Sequence, residues 1–139
     1  MLVFLDTEFT DLYNNPKLFS IGLISENGEH SFYAELYNTY TQADLSDFAI
    51  IHVVPILDGD NVLTFEQLSI KLKAWIVGLN DEVTIASDNQ NWDWNFIKQI
   101  FRQSWPENLN KECFLLNVNY ICNVDVYFDA VENAFKSGL

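Results

Sequence analysis

Asp6 and Glu8 stand two residues apart in "LDTEFT", where the apolar run "MLVFL" gives out. In an extended strand, side chains at i and i+2 share a face, so these carboxylates lie side by side with Thr7 turned away. Like charges that close repel, and each tends to take up a proton unless a cation lies between them. A divalent metal is the natural remedy, because oxygen-rich sites suit magnesium or manganese. A bare Asp-x-Glu is common, however, and a strand end with two hydrated carboxylates is the simpler account of the tripeptide alone. A further carboxylate comes from "SDNQNWDWNFI" at residues 87–97, after the short strand pattern "EVTIAS". Asp93 falls in the first turn of the helix expected there. In a sheet whose strand ends gather on one edge, it could meet Asp6 and Glu8. The competing account is that Asp93 favours the helix macrodipole and Asp88 caps the helix.

These residues need a scaffold, and the hydropathy pattern outlines one. "LVFLD" reads as a central strand, "KLFSIGLIS" as a second and "EHSFYAEL" as a third. The tight-turn signal "ENG" makes residues 18–36 a hairpin. "TQADLSDFAI" opens a helix with Thr41 as its cap. "TFEQLSIKLKAWIVGL" is the clearest helix: Thr64 is the N-cap, Gln67 stands three residues on, and Phe65, Leu68, Leu72, Trp75, Ile76 and Leu79 form the apolar stripe. "EVTIAS" is a short strand, "NWDWNFIKQIFRQ" a helix with Phe96, Ile97, Ile100 and Phe101 inward, and "ECFLLNVNYI" a last strand. "DVYFDAVENAFKSG" is a final helix ending near Gly138. Three sequential strands followed by alternating helix and strand predict an α/β layer fold, a mixed sheet covered by helices.

Bulk properties narrow the classes. A chain of 139 residues, 49% hydrophobic and 15% aromatic, is expected to be one globular domain over 1–139. No apolar stretch is long enough for a membrane span, and "MLVFLDTEF" lacks a positive n-region, so a cytoplasmic location is the default expectation. Cys113 and Cys122 sit in apolar contexts and read as buried free thiols. Seven Lys and Arg stand against twenty Asp and Glu, a formal charge of −13. That balance disfavours extended wrapping of a phosphate backbone, which is gripped mainly by cations. It leaves room for an enzyme that holds one terminus through metals and local contacts. Lys98 and Arg102, read as one turn apart on the helix after Asp93, could touch phosphate, though a solvated helix face is the simpler account.

"FLDTEFTDL", "PKLFSIGLIS", "FYAEL" and "SDNQNWDWNFI" together resemble the DEDD-type 3′-to-5′ exonucleases of ribonuclease-H-like fold, and the small ribonuclease T-like exoribonucleases in particular. The resemblance covers nearly the whole chain. It implies a ribonuclease-H-like mixed sheet flanked by helices, with Asp6 and Glu8 as first-motif ligands and Asp93 as the second-motif carboxylate. Asn89 takes a position where the family often has Asn. The implied cofactors are two Mg²⁺ or Mn²⁺ ions, and the implied substrate is the 3′ end of RNA or single-stranded DNA. Groups around Thr7, Phe9 and Thr10 would meet that end, with Phe9 or Trp92 stacking on a base, although core packing is the commoner role for such aromatics.

The family's third motif, His-x4-Asp, has no counterpart. The only histidines are His30 and His52, and neither is followed five residues later by Asp. Sliding "VDVYFDA" into the slot would make Asp129 the fourth carboxylate and put Val124 where the base belongs. In a second alignment the chain stops one element short, without the last helix, which would leave a groove for a homodimer or another partner. Either way, three carboxylates hold one ion well and a second weakly, and a missing general base costs about 10²–10⁴-fold in rate. The sequence therefore supports two readings: a metal-dependent 3′-to-5′ exonuclease of reduced activity, or a catalytically silent acidic binding module on the same fold.

Overall fold

The N-terminal apolar run forms β1 (Leu2–Phe9), the strand around which the sheet is built. The computed structural model describes residues 1–10, 16–41 and 59–116. β1 pairs antiparallel with β2 (Leu18–Ser25), which pairs antiparallel with β3 (Ser31–Leu36). The hairpin turns at "ENGE", where Gly28 takes φ +75° and donates its N–H to the Ser25 carbonyl at 2.8 Å. Beyond β3 lie β4 (Val62–Leu63), α1 (Phe65–Gly78), β5 (Thr84–Ser87), α2 (Asp93–Ile100) and β6 (Phe114–Leu115). The sheet order is β4-β3-β2-β1-β5-β6, with β1/β5, β5/β6 and β3/β4 parallel, so β2 alone runs against the rest. This is the mixed α/β sheet with helices packed on it that the hydropathy pattern predicts.

The register sorts side chains onto two faces. Val3, Leu5, Ile21, Leu23 and Ala34 pack with Leu68, Leu72 and Ile76 of α1 and Phe96, Ile97 and Ile100 of α2 in one buried core. Asp6, Glu8, Ser20, Gly22, Tyr33 and Glu35 alternate with those residues and occupy the opposite face. At the end of β1 the ladder slips: Glu8 pairs with Ser20 but Phe9 pairs with Leu18, leaving Phe19 as an extra residue in β2. This β-bulge lets Leu18 rejoin the helix-side core three residues from Ile21, while Phe19 packs edge-on to Tyr40 with ring centroids 4.4 Å apart.

α1 begins as its sequence predicts. The Thr64 hydroxyl accepts from the Gln67 N–H at 3.1 Å, and the Gln67 side chain accepts from the Thr64 N–H at 3.0 Å, completing a capping box. α2 is shorter than expected, ending at Ile100. The chain leaves the helix ahead of Pro106, and Trp105 folds back edge-on to Trp94 and Phe101 while its indole N–H donates to the Leu109 carbonyl at 2.8 Å. Arg102 consequently lies beyond α2 rather than on it, so the two cations do not share one helix as expected. β1 runs on past the expected "LVFLD", through Glu8 to Phe9, because pairing with β2 continues to that point. β4 has no sequence signal beyond two apolar residues and exists through its parallel pairing with β3. The expected helices from Thr41 and over 125–138 lie outside the described residues, as does most of the strand after Phe114. Among the described residues, no helix is long and apolar enough to cross a membrane.

Two substitutions separate core from cap. Leu72→Ala empties a fully buried site and is expected to cost about 2–5 kcal/mol of unfolding free energy. Thr64→Ala removes one cap bond and should cost about 1 kcal/mol. Urea denaturation curves of the two variants measure both, and equal losses would contradict this division of the stabilising interactions.

Candidate metal centre

Two elements bring the carboxylates together. β1 presents Asp6 and Glu8 on the face away from the helices, and the turn after β5 leads into α2, whose first residue is Asp93. That turn is held by the Asn89 carbonyl, which accepts from the N–H groups of Trp92 (3.3 Å) and Asp93 (3.0 Å). No side chain caps α2, so Asp88 is not the cap that sequence reasoning allowed it to be. Instead, Asp88 joins Asp6 and Asp93: one carboxylate oxygen from each lies within 4.8 Å of the others. Asp88 is exposed, Asp6 half-buried and Asp93 buried, 2% exposed. Opposite Asp6 on β2 stands Gly22, so that position on the neighbouring strand carries no side chain.

Asp93 is clamped from the core side. The Thr7 hydroxyl donates to one of its oxygens at 2.6 Å, and the Ser87 hydroxyl to the other at 2.7 Å. Ser87 also accepts the Asn89 N–H at 3.0 Å. Thr7 does turn away from Asp6 and Glu8, as the strand period requires, and in doing so it reaches the third carboxylate. A hydroxyl at x of Asp-x-Glu is the only sequence signal for this contact, and it is weak without the position of α2.

Electrostatic strain runs through the group. Burial, followed by the charges of Asp93, Glu8 and Asp88, pushes the Asp6 pKa up to about 8, against a smaller lowering by the Thr7 N–H, which donates to Asp6 at 3.0 Å. Burial raises Asp93 to about 6, although the Thr7 and Ser87 hydroxyls stabilise its charged form. Glu8 is raised by burial and then by Asp93, but its carboxyl is not among the oxygens gathered within 4.8 Å. Cys113 is a half-buried thiol pushed up to about 11 by burial and by Asp93, and its carbonyl accepts from the Gln90 side chain at 3.2 Å. Cys122 lies outside the described residues.

Thr10 is buried, and its hydroxyl accepts the Lys17 N–H at 3.0 Å. Phe9 and Trp92 are half-buried and stacked on one another, centroids 6.0 Å apart at 28°, with Phe96 beneath Phe9 at 5.5 Å. Asn89, three residues before Trp92, is half-buried and organises the turn. Asp125, Asp129 and His52 lie outside the described residues. His30 sits at the far end of the β2/β3 hairpin, its carbonyl accepting the Ser25 N–H at 2.8 Å. Ser25 is five residues, about 17 Å of strand, from the Glu8 partner Ser20. A groove of about 1120 Å³ between α1 and residues 99–104 includes Ile70, Lys73, Val77 and Arg102 in its lining and none of the clustered carboxylates.

A pH dependence follows from the raised carboxyls. In the folded chain Asp6 and Asp93 bind protons more tightly than an unfolded carboxyl near 3.8. Their contribution is therefore fully present at low pH and is lost as pH rises through about 6 and then about 8. In chelator, the thermal midpoint should fall between pH 5 and 8. Asp6→Asn should flatten that fall and melt above the parent at pH 8, and a parallel profile for the two proteins would refute the proposed strain.

No protein-family model and no curated protein matches the chain. Among solved structures it is similar to the nuclease domain of 3′hExo, a DEDDh family member, bound to rAMP, at 21% identity and a TM-score of 0.48. The match covers 76% of this chain and spans 62% of that one.

Proposed function

We propose that the chain is a divalent-metal-dependent 3′-to-5′ exonuclease, hydrolysing the terminal phosphodiester of RNA or single-stranded DNA to release nucleoside monophosphates. The observation that carries this reading is the meeting of Asp6, Asp88 and Asp93 oxygens within 4.8 Å, beside a strand whose "DTEFT" resembles the first exonuclease motif. The donor set fits a hard cation. All its ligand atoms are oxygens, and octahedral ligands at about 2.1 Å from Mg²⁺ lie about 3–4 Å apart, a small contraction from the present spacing. Asp6, Asp88 and Asp93 would hold the ion, with Glu8 adjoining. When bound, Mg²⁺ or Mn²⁺ supplies charge neutralisation at the scissile phosphate and acidifies the attacking water.

The chain's own residues do the rest. Thr7 and Ser87 fix the plane of Asp93, so that ligand needs no reorganisation. The Thr7 and Thr10 hydroxyls are both engaged internally, so substrate contact falls to Phe9, Trp92 and Asn89. The Phe9–Trp92 stack next to Asp93 suits a terminal base, whose flat face it can extend. Asp129, which one alignment of the sequence offers as a further carboxylate, lies outside the described residues, and on this reading Asp88 joins Asp6 and Asp93.

The alternative is a silent acidic module on the same fold. It is favoured by the position of His30, the one histidine among the described residues, at the hairpin end remote from the carboxylates, and by the charge of −13. A 5′-labelled single-stranded RNA and its DNA counterpart, incubated with Mn²⁺, distinguish the two. The exonuclease yields a ladder receding one nucleotide at a time from the 3′ end, abolished in Asp6→Ala. Asp88→Ala should weaken Mn²⁺ binding by roughly tenfold or more. Neither trimming nor Mn²⁺ binding by the parent would leave only the silent module.

A further inference from the structure

On the carboxylate face of the sheet, Glu8, Ser20 and Glu35 form a row across three strands, each directly opposite the next in the ladder. Directly opposed residues place their β-carbons about 4.5–5.5 Å apart on the same face. Ser20 is 1% exposed, and its hydroxyl has no hydrogen-bond partner. A buried hydroxyl left in that state is costly, and native structures rarely keep one without a use. Glu35, on one side of it, is already engaged: the Tyr33 hydroxyl donates to one oxygen at 2.5 Å and the Gly59 N–H to the other at 3.0 Å. Glu8, on the other side, receives no hydrogen bond from any described residue, and it lies outside the oxygens that Asp6, Asp88 and Asp93 gather. A donor without an acceptor thus stands beside an acceptor without a donor. The β-bulge at Phe19 falls next to this pair and ends the regular alternation there, fixing Ser20 opposite Glu8.

We infer that Ser20 is a positioning residue for Glu8: its hydroxyl donates to the Glu8 carboxylate when that side chain turns toward Asp6 to complete the cation site. The inference rests on the proposed metal-dependent function and adds the means by which Glu8 is brought to the oxygens of Asp6, Asp88 and Asp93. Ser20 does not touch the ion or the substrate. It holds one rotamer of a flexible ligand, as the Thr7 and Ser87 hydroxyls hold Asp93 from the other face. A threonine at this position keeps the donor, and an alanine removes it.

The test is Mn²⁺ binding by calorimetry on the full chain, with the thermal midpoint in chelator as a control. Ser20→Ala should weaken Mn²⁺ about tenfold, as expected for losing a hydrogen bond to a charged group, while its midpoint in chelator stays at or above that of the parent. Ser20→Thr should restore affinity. Glu8→Gln should also weaken Mn²⁺, and adding Ser20→Ala to it should cost nothing more, because the two residues act as a unit. Unchanged affinity in Ser20→Ala, or losses that simply add in the double variant, would overturn the role of Ser20 alone. A parent that binds no Mn²⁺, or binds it equally well as Asp6→Ala, would overturn the proposed function and this inference with it.

Discussion

Carboxylates crowded on the edge of a buried sheet repel one another, and the described structure is arranged around keeping them together. Asp6 sits in the central strand, Glu8 follows on the same face, and Asp93 arrives on the first residue of α2. Burial and mutual repulsion hold protons on groups that would be ionised in water, with Asp6 reaching about 8. The core on the opposite face stabilises this arrangement: Leu5 and Leu23 sit on the strands behind the site, and Leu72 and Ile97 cover them from the helices. Protons at low pH, or a divalent cation at neutral pH, would relieve the same repulsion.

Placement of the ligands depends on hydroxyls more than on charges. In the described region no lysine or arginine pairs with Asp6, Glu8 or Asp93, and the one ion pair found joins the N-terminal amine to Asp81 at 3.8 Å. Thr7 and Ser87 orient Asp93 without neutralising it, so its negative charge remains available to a ligand. A cation from the protein in the same place would have lowered the pKa and filled the site. The two hydroxyls instead come from strands that the core fixes, β1 and β5, which pair directly with one another.

Much of this was legible in the sequence where a local rule governs. The i, i+2 spacing of Asp6 and Glu8 fixes their shared face in any strand, and Thr64 with Gln67 fixes the start of α1. The ENG turn sets the hairpin register. What could not be read depends on contacts between distant segments. Asp88 looks like a helix cap until the backbone of 89–93 is seen to begin the helix at Asp93 without it. The Phe19 bulge is hidden inside the run "LFSIGLIS", where every residue is buried or half-buried and no alternation survives to reveal a slip. β4 is two residues that become a strand only because β3 offers them an edge.

The Thr7–Asp93 bond joins residues 86 apart in sequence. Closing a loop that long costs conformational entropy, whereas the β1–β2 hairpin closes a short one. The half-site on β1 and β2 can therefore exist early as an ordinary hairpin edge, and the full cluster comes into being only when α2 docks. An ion has no comparable site on the unfolded or half-folded chain, so its affinity is conferred almost wholly on the finished fold, and saturating concentrations shift the folding equilibrium by mass action. Coordination would then act as a latch on the last step of assembly, reporting that both halves of the molecule have met.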